Sequence, residues 1–308
     1  MQKNVENVLI IGGGIAANSA AIYCARASLK PLVIHGPELD QLSLTTLVEN
    51  YPGFPEGIMG PDLVNNTRKQ AEKFGAKYIE GKVDSAKKKK GYFEIKAEKK
   101  TYKSKALIVS TGATARRLGI PGEDKYFGRG VSTCATCDAA IFSGKDVVVV
   151  GGGDAAMEET LALTKFAKSI KLIHRRDSFR ASKIMQDRIF KLKNKVEIIW
   201  NTTATEVLGD KFVTSIKTKN LKTKETKEIP CQGMFLAIGH IPNTKFLNNL
   251  VKTDKAGYIV TDKRSRTSTP GIFACGDVQD PVFKQAITSA GTGCQAAIEA
   301  ENFVEGGG

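Results

Sequence analysis

One feature constrains this chain more than any other, and it occurs twice. Residues 8–11 form a short apolar run that breaks at Gly12-Gly13-Gly14. An alanine-rich stretch follows at 15–27, then a second apolar run at 32–34. The same order returns in mid-chain: residues 146–150, Gly151-Gly152-Gly153, a helical stretch at 154–166 and a strand at 170–173. A strand that ends on glycine and opens a helix before a further strand is a βαβ unit. Both copies carry the same spacing, Gly12-x-Gly14-x-x-Ala17 and Gly151-x-Gly153-x-x-Ala156. The first glycine makes the tight turn, the second lets backbone approach a pyrophosphate at the helix N-terminus, and the third position must be small. The fold class that follows is α/β, with two Rossmann-like dinucleotide-binding domains.

The rest of the chain fits one βαβ domain inserted into another. An amphipathic helix is predicted over 61–74 and strands over 92–97 and 106–110, the last ending at Thr111-Gly112. Strands recur at 196–199, 203–207, 212–217 and 234–237. A strand then runs into Gly276-Asp277, and a helix over 285–304 follows. The expected division is residues 1–114 and 244–308 for the first domain and 115–243 for the second.

Between the two glycine loops lies Cys134-Ala135-Thr136-Cys137-Asp138. Two cysteines two residues apart can close a reducible disulfide, and the carboxyl behind them can give a proton to a departing thiolate. A structural turn and half a zinc site are the competing readings. With three histidines and no second such cysteine pair, no zinc set is completed, so no metal is expected. Cys24, Cys231, Cys275 and Cys294 lack any such spacing and read as small buried hydrophobes.

Charge and composition narrow the class. The second copy's outer strand ends His174-Arg175-Arg176, with Arg180 beyond. Arginine there suits the 2′-phosphate of NADP, where an acid would suit the ribose of NAD. In the first copy the acid is missing from His35-Gly36-Pro37, and Glu38 is a displaced candidate. The net charge of +14 is densest at residues 87–90. Without nucleic-acid motifs or interleaved aromatics, that run reads as a solvated hairpin, and no nucleic-acid partner is expected. No apolar run is long enough to span a bilayer, so no membrane partner is expected either. Six cysteines do not suggest a disulfide scaffold, which makes a cytoplasmic location the expectation.

These residues together resemble a known family. Cys134-Ala135-Thr136-Cys137-Asp138, Gly151-Gly152-Gly153-Asp154, the run from His174 to Arg180, Ala237-Ile238-Gly239-His240 and the run from Gln285 to Cys294 occur in this order. The chain resembles the low-molecular-weight thioredoxin reductases over essentially its full length. The resemblance implies a homodimer that passes electrons from NADPH through FAD and the Cys134–Cys137 disulfide to thioredoxin, supporting cell redox homeostasis. It implies that Cys137 faces the flavin, Cys134 attacks thioredoxin and Asp138 supplies a proton. For FAD it implies the loop Gly12, Gly13, Gly14, Ile15 and Ala16, then Gln41, Asn50, Val83, Thr111 and Gly112, with Cys137 beside the flavin. Gly276, Asp277, Lys284, Gln285 and Ala286 complete that set. For NADPH it implies Gly151, Gly153, Asp154, Ala156, His174, Arg175, Arg176, Arg180 and Ile238.

The chain departs from the family at Ile15, where Pro is usual, and at Leu39-Asp40, where a glycine pair is usual. Lys284 stands for arginine, Cys275 for alanine, Ala139 for glycine and Ala140-Ile141 for an aromatic pair. A reductase of another disulfide protein and a flavin-fold protein without turnover are the alternative functions.

Overall fold

The structure is a computed structural model that describes residues 5–37, 40–45 and 47–306. Glu38 and Leu39, singled out above, lie outside those residues. The helices are α1 (Ile15–Arg26), α2 (Gly60–Lys73), α3 (Ala135–Asp138), α4 (Asp154–Leu163), α5 (Lys183–Phe190) and α6 (Ala286–Glu305). The chain divides into two compact units, one of Met1–Thr114 with Ile241–Gly308, the other Ala115–His240.

The first unit is built on a mixed sheet. Its strands lie in the order Lys77–Glu80, Leu32–His35, Glu6–Ile11, Lys100–Val109, Tyr92–Ala97, Val83–Lys89, and Ile272–Ala274 also pairs with Lys100–Val109. Glu6–Ile11 pairs in parallel with both neighbours. It therefore sits in the middle of the sheet, and alternate residues go to opposite faces. Val8 and Ile10 pack under α1 and α6 with Ala17, Ala20, Ala21, Ala296 and Ala297. Leu9 and Ile11 join Ile95, Leu107, Leu247 and Ile259 on the other face. The alanines of α1 and α6 let the two helices lie close over the sheet. At Gly293 a methyl group would meet the carbonyl of Ala16 at 2.4 Å.

The second unit has a parallel sheet ordered Val131–Ser132, Gly233–Ala237, Asp146–Gly151, Ser169–Ile173, Val196–Ile199. Val147 and Val149 face a layer that holds Met157, Leu163 and Ile189 of α4 and α5. Val148 and Val150 face an antiparallel sheet of Thr202–Gly209, Val213–Asn220 and Thr226–Pro230, through Val207 and Ile216. Central strands buried on both faces read as continuous apolar runs, as Val147–Val150 does.

The structure corrects the elements in detail. The helix expected to reach Phe166 ends at Leu163, where the Thr164 hydroxyl donates to the carbonyl of Leu161 at 2.7 Å. Strand Val83–Lys89 and helix α5 were not legible in the sequence. The first ends in an exposed lysine run, and the second buries a single side chain, Ile189. Lys87, Lys88, Lys89 and Lys90 are exposed on the hairpin between Val83–Lys89 and Tyr92–Ala97.

Each unit ties its own chain ends. In the first, Asn243 donates through Nδ2 to the carbonyl of Thr111 at 2.9 Å, and accepts the Thr111 hydroxyl on its own carbonyl at 2.8 Å. In the second, the N–H of Arg116 donates to the carbonyl of Gly239 at 2.9 Å.

Candidate active site

Three groups of residues carry the candidate chemistry, two in the second unit and one in the first, and the first of them is the cysteine pair. Val131–Ser132 is a short buried strand against Phe235, and the chain leaves it to enter α3. Cys134 is the N-cap of α3 and is joined to Cys137 in a disulfide, with Cα atoms 5.4 Å apart. Cys137 is exposed and Cys134 half-buried. The Cys137 N–H donates to the Cys134 Sγ at 3.2 Å, and the Asp138 N–H donates to the Cys134 carbonyl at 3.1 Å. One turn of helix therefore carries both sulfurs and the carboxyl. Burial raises Asp138 above the ordinary carboxyl range, and a hydrogen bond from Ser132 works against that rise. A carboxyl held up in this way keeps a proton available closer to neutral pH.

Two residues of this group were missed in the sequence. The Ser132 hydroxyl donates to Asp138 Oδ2 at 2.6 Å. Glu159, on α4, accepts the N–H of Ala135. Ser132 lies two positions before a cysteine, which is a legible signal for a local turn bond. Glu159 is distant in sequence, and nothing short of the fold places it beside α3.

The second group is the glycine loop of the inserted unit. Gly151 is closed in, since a methyl group there would meet the Ala237 carbonyl at 2.4 Å and the Ala156 Cβ at 2.6 Å. Gly152 lies under His174. Gly153 has open space above it and caps α4 without any side-chain hydrogen bond. The N–H groups of the first helical turn thus face an uncrowded position that an anion fits. The Arg180 N–H donates to the Gly152 carbonyl at 2.8 Å, bringing the arginine run to this loop. Arg175, Arg176 and Arg180 are exposed, and the acid among them, Asp177, is held by Lys222 at 2.9 Å. Asp154 Oδ1 accepts both the N–H and the hydroxyl of Ser182, which lowers its pKa. Its carboxylate fastens the next loop to α4. Ile238 follows the strand Gly233–Ala237 and packs against the core of that unit.

The third group lies in the first unit. Gly12 is at φ +131°, and a methyl group there would meet the Ser110 carbonyl at 2.2 Å. Gly14 caps α1, again with no side-chain bond to the first-turn N–H groups. Ile15 and Ala16 are buried, so backbone is what they can offer a ligand. Gly276 packs closely on Ala16, since a methyl group there would stand 2.8 Å from the Ala16 Cβ, which sets Asp277 beside the loop. Asp277 accepts the Ser289 hydroxyl at 3.0 Å, and burial raises its pKa. Gln285 caps α6 and accepts Asn50 Nδ2 at 3.3 Å, joining two predicted site residues far apart in sequence. Ala286 opens α6, and Lys284 stands before it at φ +50°. Thr111 and Gly112 lie where the first strand system ends, Gly112 at φ +65° with open space around it. Gln41 is exposed, and Val83 starts its strand half-buried. Both glycine cradles are uncapped by side chains and fit dinucleotides, Gly153 with open space above it and Gly14 with Asp40 at ordinary contact distance from a methyl group there.

The remaining thiols stand apart from this chemistry. Cys24, Cys231 and Cys275 are buried, and burial pushes the first two up to about 12. Cys294 is half-buried, more open than the sequence suggests.

Comparison with known proteins assigns the chain. A profile described as pyridine nucleotide-disulphide oxidoreductase matches residues 6–293. A thioredoxin reductase of Streptomyces coelicolor is 48% identical over 313 residues, covering 98% of this chain and 95% of the relative. One of Rickettsia conorii is 46% identical over 308 residues, covering 98% and 99%. The chain belongs to the thioredoxin reductases of the pyridine nucleotide-disulphide oxidoreductase family. The crystal structure of a thioredoxin reductase from Streptococcus pyogenes is 40% identical, with a TM-score of 0.93 over 98% of this chain and 99% of that one. As in that family, one Rossmann-like domain is inserted in another, and the cysteine pair lies in the inserted one.

Proposed function

We propose that this protein is a thioredoxin reductase that uses FAD in its first unit and NADPH in its second. The observation that carries the reading is the Cys134–Cys137 disulfide on one helical turn with Asp138, in the same unit as a dinucleotide cradle bordered by arginines. When bound, NADPH and FAD supply a hydride and a two-electron relay to the disulfide. All other tasks fall to the chain. Gly12, Gly14 and the α1 N-terminus hold one pyrophosphate, and Asp277 and Gln285 orient that ligand. Gly151, Gly153 and α4 hold the other, while Arg175, Arg176 and Arg180 take the 2′-phosphate. Asp138 exchanges a proton with the sulfurs as the disulfide opens and closes.

The dithiol so formed attacks the disulfide of thioredoxin through Cys134, and Cys137 closes the bond again. In this reading the protein is a homodimer. The exposed Tyr23 of α1 and the exposed Ile287 and Ile298 of α6 offer apolar surface for a second copy. It works in the cytoplasm, where a reducing poise keeps the other four thiols free. No helix among the described residues is long and apolar enough to cross a membrane.

The test is an assay with NADPH, the purified flavoprotein and a thioredoxin. Turnover is expected with thioredoxin. Cys134→Ser and Cys137→Ser should each abolish it while flavin still bleaches with NADPH. A thioredoxin mixed disulfide trapped on Cys137, and never on Cys134, would reverse the two sulfur roles.

A further inference from the structure

We infer that Ser132 is a positioning residue for the proton chemistry of the dithiol, fastening the Asp138 carboxyl to the Cys134 backbone and setting the pH at which that carboxyl exchanges its proton. The inference rests on the thioredoxin reductase reading. Its basis is geometric. Ser132 is 5% exposed and held in register with Phe235 by the strand pairing. Its hydroxyl oxygen accepts the Cys134 N–H at 3.1 Å, and the same hydroxyl donates to Asp138 Oδ2 at 2.6 Å. The Asp138 N–H returns to the Cys134 carbonyl at 3.1 Å. The three residues form a closed ring of bonds around the sulfur-bearing turn. The hydroxyl has one proton, and Asp138 Oδ2 at 2.6 Å takes it over the other acceptor in reach, the Cys134 carbonyl at 3.4 Å.

The chemical consequence follows from the direction of the bond. A hydroxyl proton given to a carboxylate favours its ionised form, and burial favours the neutral form. Asp138 is subject to both, with burial the larger. Other charged groups stand on the elements around it. On α4, Asp154 is engaged by Ser182, Glu158 is exposed and Glu159 is bonded to the Ala135 N–H. The short turn at Ala139–Phe142 and the strand Gly233–Ala237 carry no charged side chain, and Arg129 and Lys145 flank the segment. The shift of Asp138 arises from burial and Ser132 alone.

Reduction adds two electrons from NADPH to the disulfide and breaks the Sγ–Sγ bond. The two sulfurs need two protons, one equivalent arriving with the hydride and one from solution. Asp138 in its acid form passes a proton to the leaving thiolate and becomes a carboxylate, which Ser132 then holds. When Cys134 attacks thioredoxin, the carboxylate accepts its thiol proton, the thioredoxin disulfide breaks and one of its sulfurs leaves as thiolate. Cys137 then attacks Cys134, the second thioredoxin sulfur leaves as the Cys134–Cys137 bond closes, and the two thioredoxin sulfurs take the Cys137 proton and the one from solution. Removing the Ser132 hydroxyl leaves burial unopposed, so Asp138 keeps its proton to higher pH and less of its carboxylate is present to accept a proton at neutral pH.

The experiment uses the intact flavoprotein with Ser132→Ala, Ser132→Thr and Asp138→Asn. Two readouts are taken: the pH profile of thioredoxin reduction, and the carboxyl-stretch infrared titration of the oxidised protein. The inflection lost in Asp138→Asn identifies Asp138. In Ser132→Ala it should move up by roughly half a pH unit or more, about a threefold change in ionisation ratio. Ser132→Thr should restore it, and KM for NADPH should not move. If Ser132→Ala does not fold, Ser132→Gly, which admits water, serves for the same comparison. An unmoved inflection in a folded hydroxyl-free variant overturns the inference. Absence of any thioredoxin reduction in the unmodified protein would overturn the functional reading, while the infrared titration would still judge Ser132.

Discussion

The imidazole of His174 lies so close over Gly152 that a methyl group there would stand 2.2 Å from both its Cε1 and its Nδ1. His174 cannot swing aside, because it is 5% exposed and packs against Phe179 and Trp200. Gly152→Ala must therefore displace the ring or the loop, at a cost of about 1–3 kcal/mol. The Gly152 carbonyl also holds Arg180, so the arginine run moves with it. Gly153 is the contrast, since nothing stands within 4 Å of a methyl group there. Gly153→Ala should leave the melting temperature of the apoprotein unchanged and still raise KM for NADPH tenfold or more. Gly152→Ala should lower both stability and NADPH use. FAD content should be normal in each. Wild-type KM in Gly153→Ala would mean that the open position is not where the cofactor lies.

Arginine exposure sets the second expectation. Arg175, Arg176 and Arg180 are exposed, and Lys222 occupies the acid between them. No neighbouring carboxylate is left to neutralise the cluster from within the run. A charge-assisted bond to phosphate contributes about 1.5–3 kcal/mol, so each arginine replaced by glutamine should cost roughly tenfold to a hundredfold in kcat/KM for NADPH. NADH use should stay within about twofold. Steady-state kinetics with both cofactors decide the matter, and equal use of the two by the unmodified protein would end the NADPH assignment.

Much of this was legible before any coordinates. The glycine spacings depend on local sterics, so Gly12, Gly14, Gly151 and Gly153 announce strand, turn and helix by themselves. The cysteine pair needs only its own spacing. What the sequence hides is nonlocal. Glu159 reaches the Ala135 N–H because α4 packs against the cysteine-bearing turn, and no periodicity encodes that meeting. Asn50 and Gln285 join across 235 residues of chain. The charge of Asp40 is plain in the sequence, but its hold on the Leu42 and Ser43 N–H groups depends on where the following turn goes.

Glu123 gives a test of stability. It is 1% exposed, and its carboxylate accepts the N–H groups of Leu118, Gly119 and Ile120 at 3.1, 2.8 and 3.3 Å. Arg117, stacked 3.6 Å over Phe127, stands 4.0 Å away. Glu123→Ala would strand three backbone donors and a partly buried cation. Breaking a buried charge arrangement by removing one partner costs about 3–5 kcal/mol. Glu123→Gln keeps one acceptor oxygen and should cost less than half as much. Urea unfolding followed by Trp200 fluorescence, which reports on the same unit, measures both. Equal stability of Glu123→Ala and wild type would show that the loop re-forms without its anchor.

Asp40 separates two effects that act in opposite directions. The residue stands where the family usually has glycine, and its Oδ1 would lie 3.8 Å from a methyl group on Gly14, at the mouth of the first dinucleotide cradle. A negative charge there opposes an anionic ligand. The same carboxylate accepts the N–H groups of Leu42 and Ser43 through Oδ1 at 3.0 and 3.1 Å, and the Ser43 hydroxyl through Oδ2 at 2.6 Å. That turn is pressed onto α2, where a methyl group at Gly60 would meet the Leu42 carbonyl at 2.0 Å. Asp40→Asn keeps an acceptor for the two N–H groups and removes the charge. It should bind FAD severalfold more tightly at low salt, with the gain fading toward physiological ionic strength as the Debye length shrinks to ~8 Å. Asp40→Ala also removes the charge but releases the turn, each lost bond costing about 0.5–1.5 kcal/mol. Three bonds outweigh one screened charge, so Asp40→Ala should bind FAD more weakly than wild type at every salt concentration. Titration of the apoprotein with FAD at two ionic strengths, read by flavin fluorescence, distinguishes the pair. Tighter binding in both variants would make the charge dominant and the turn incidental.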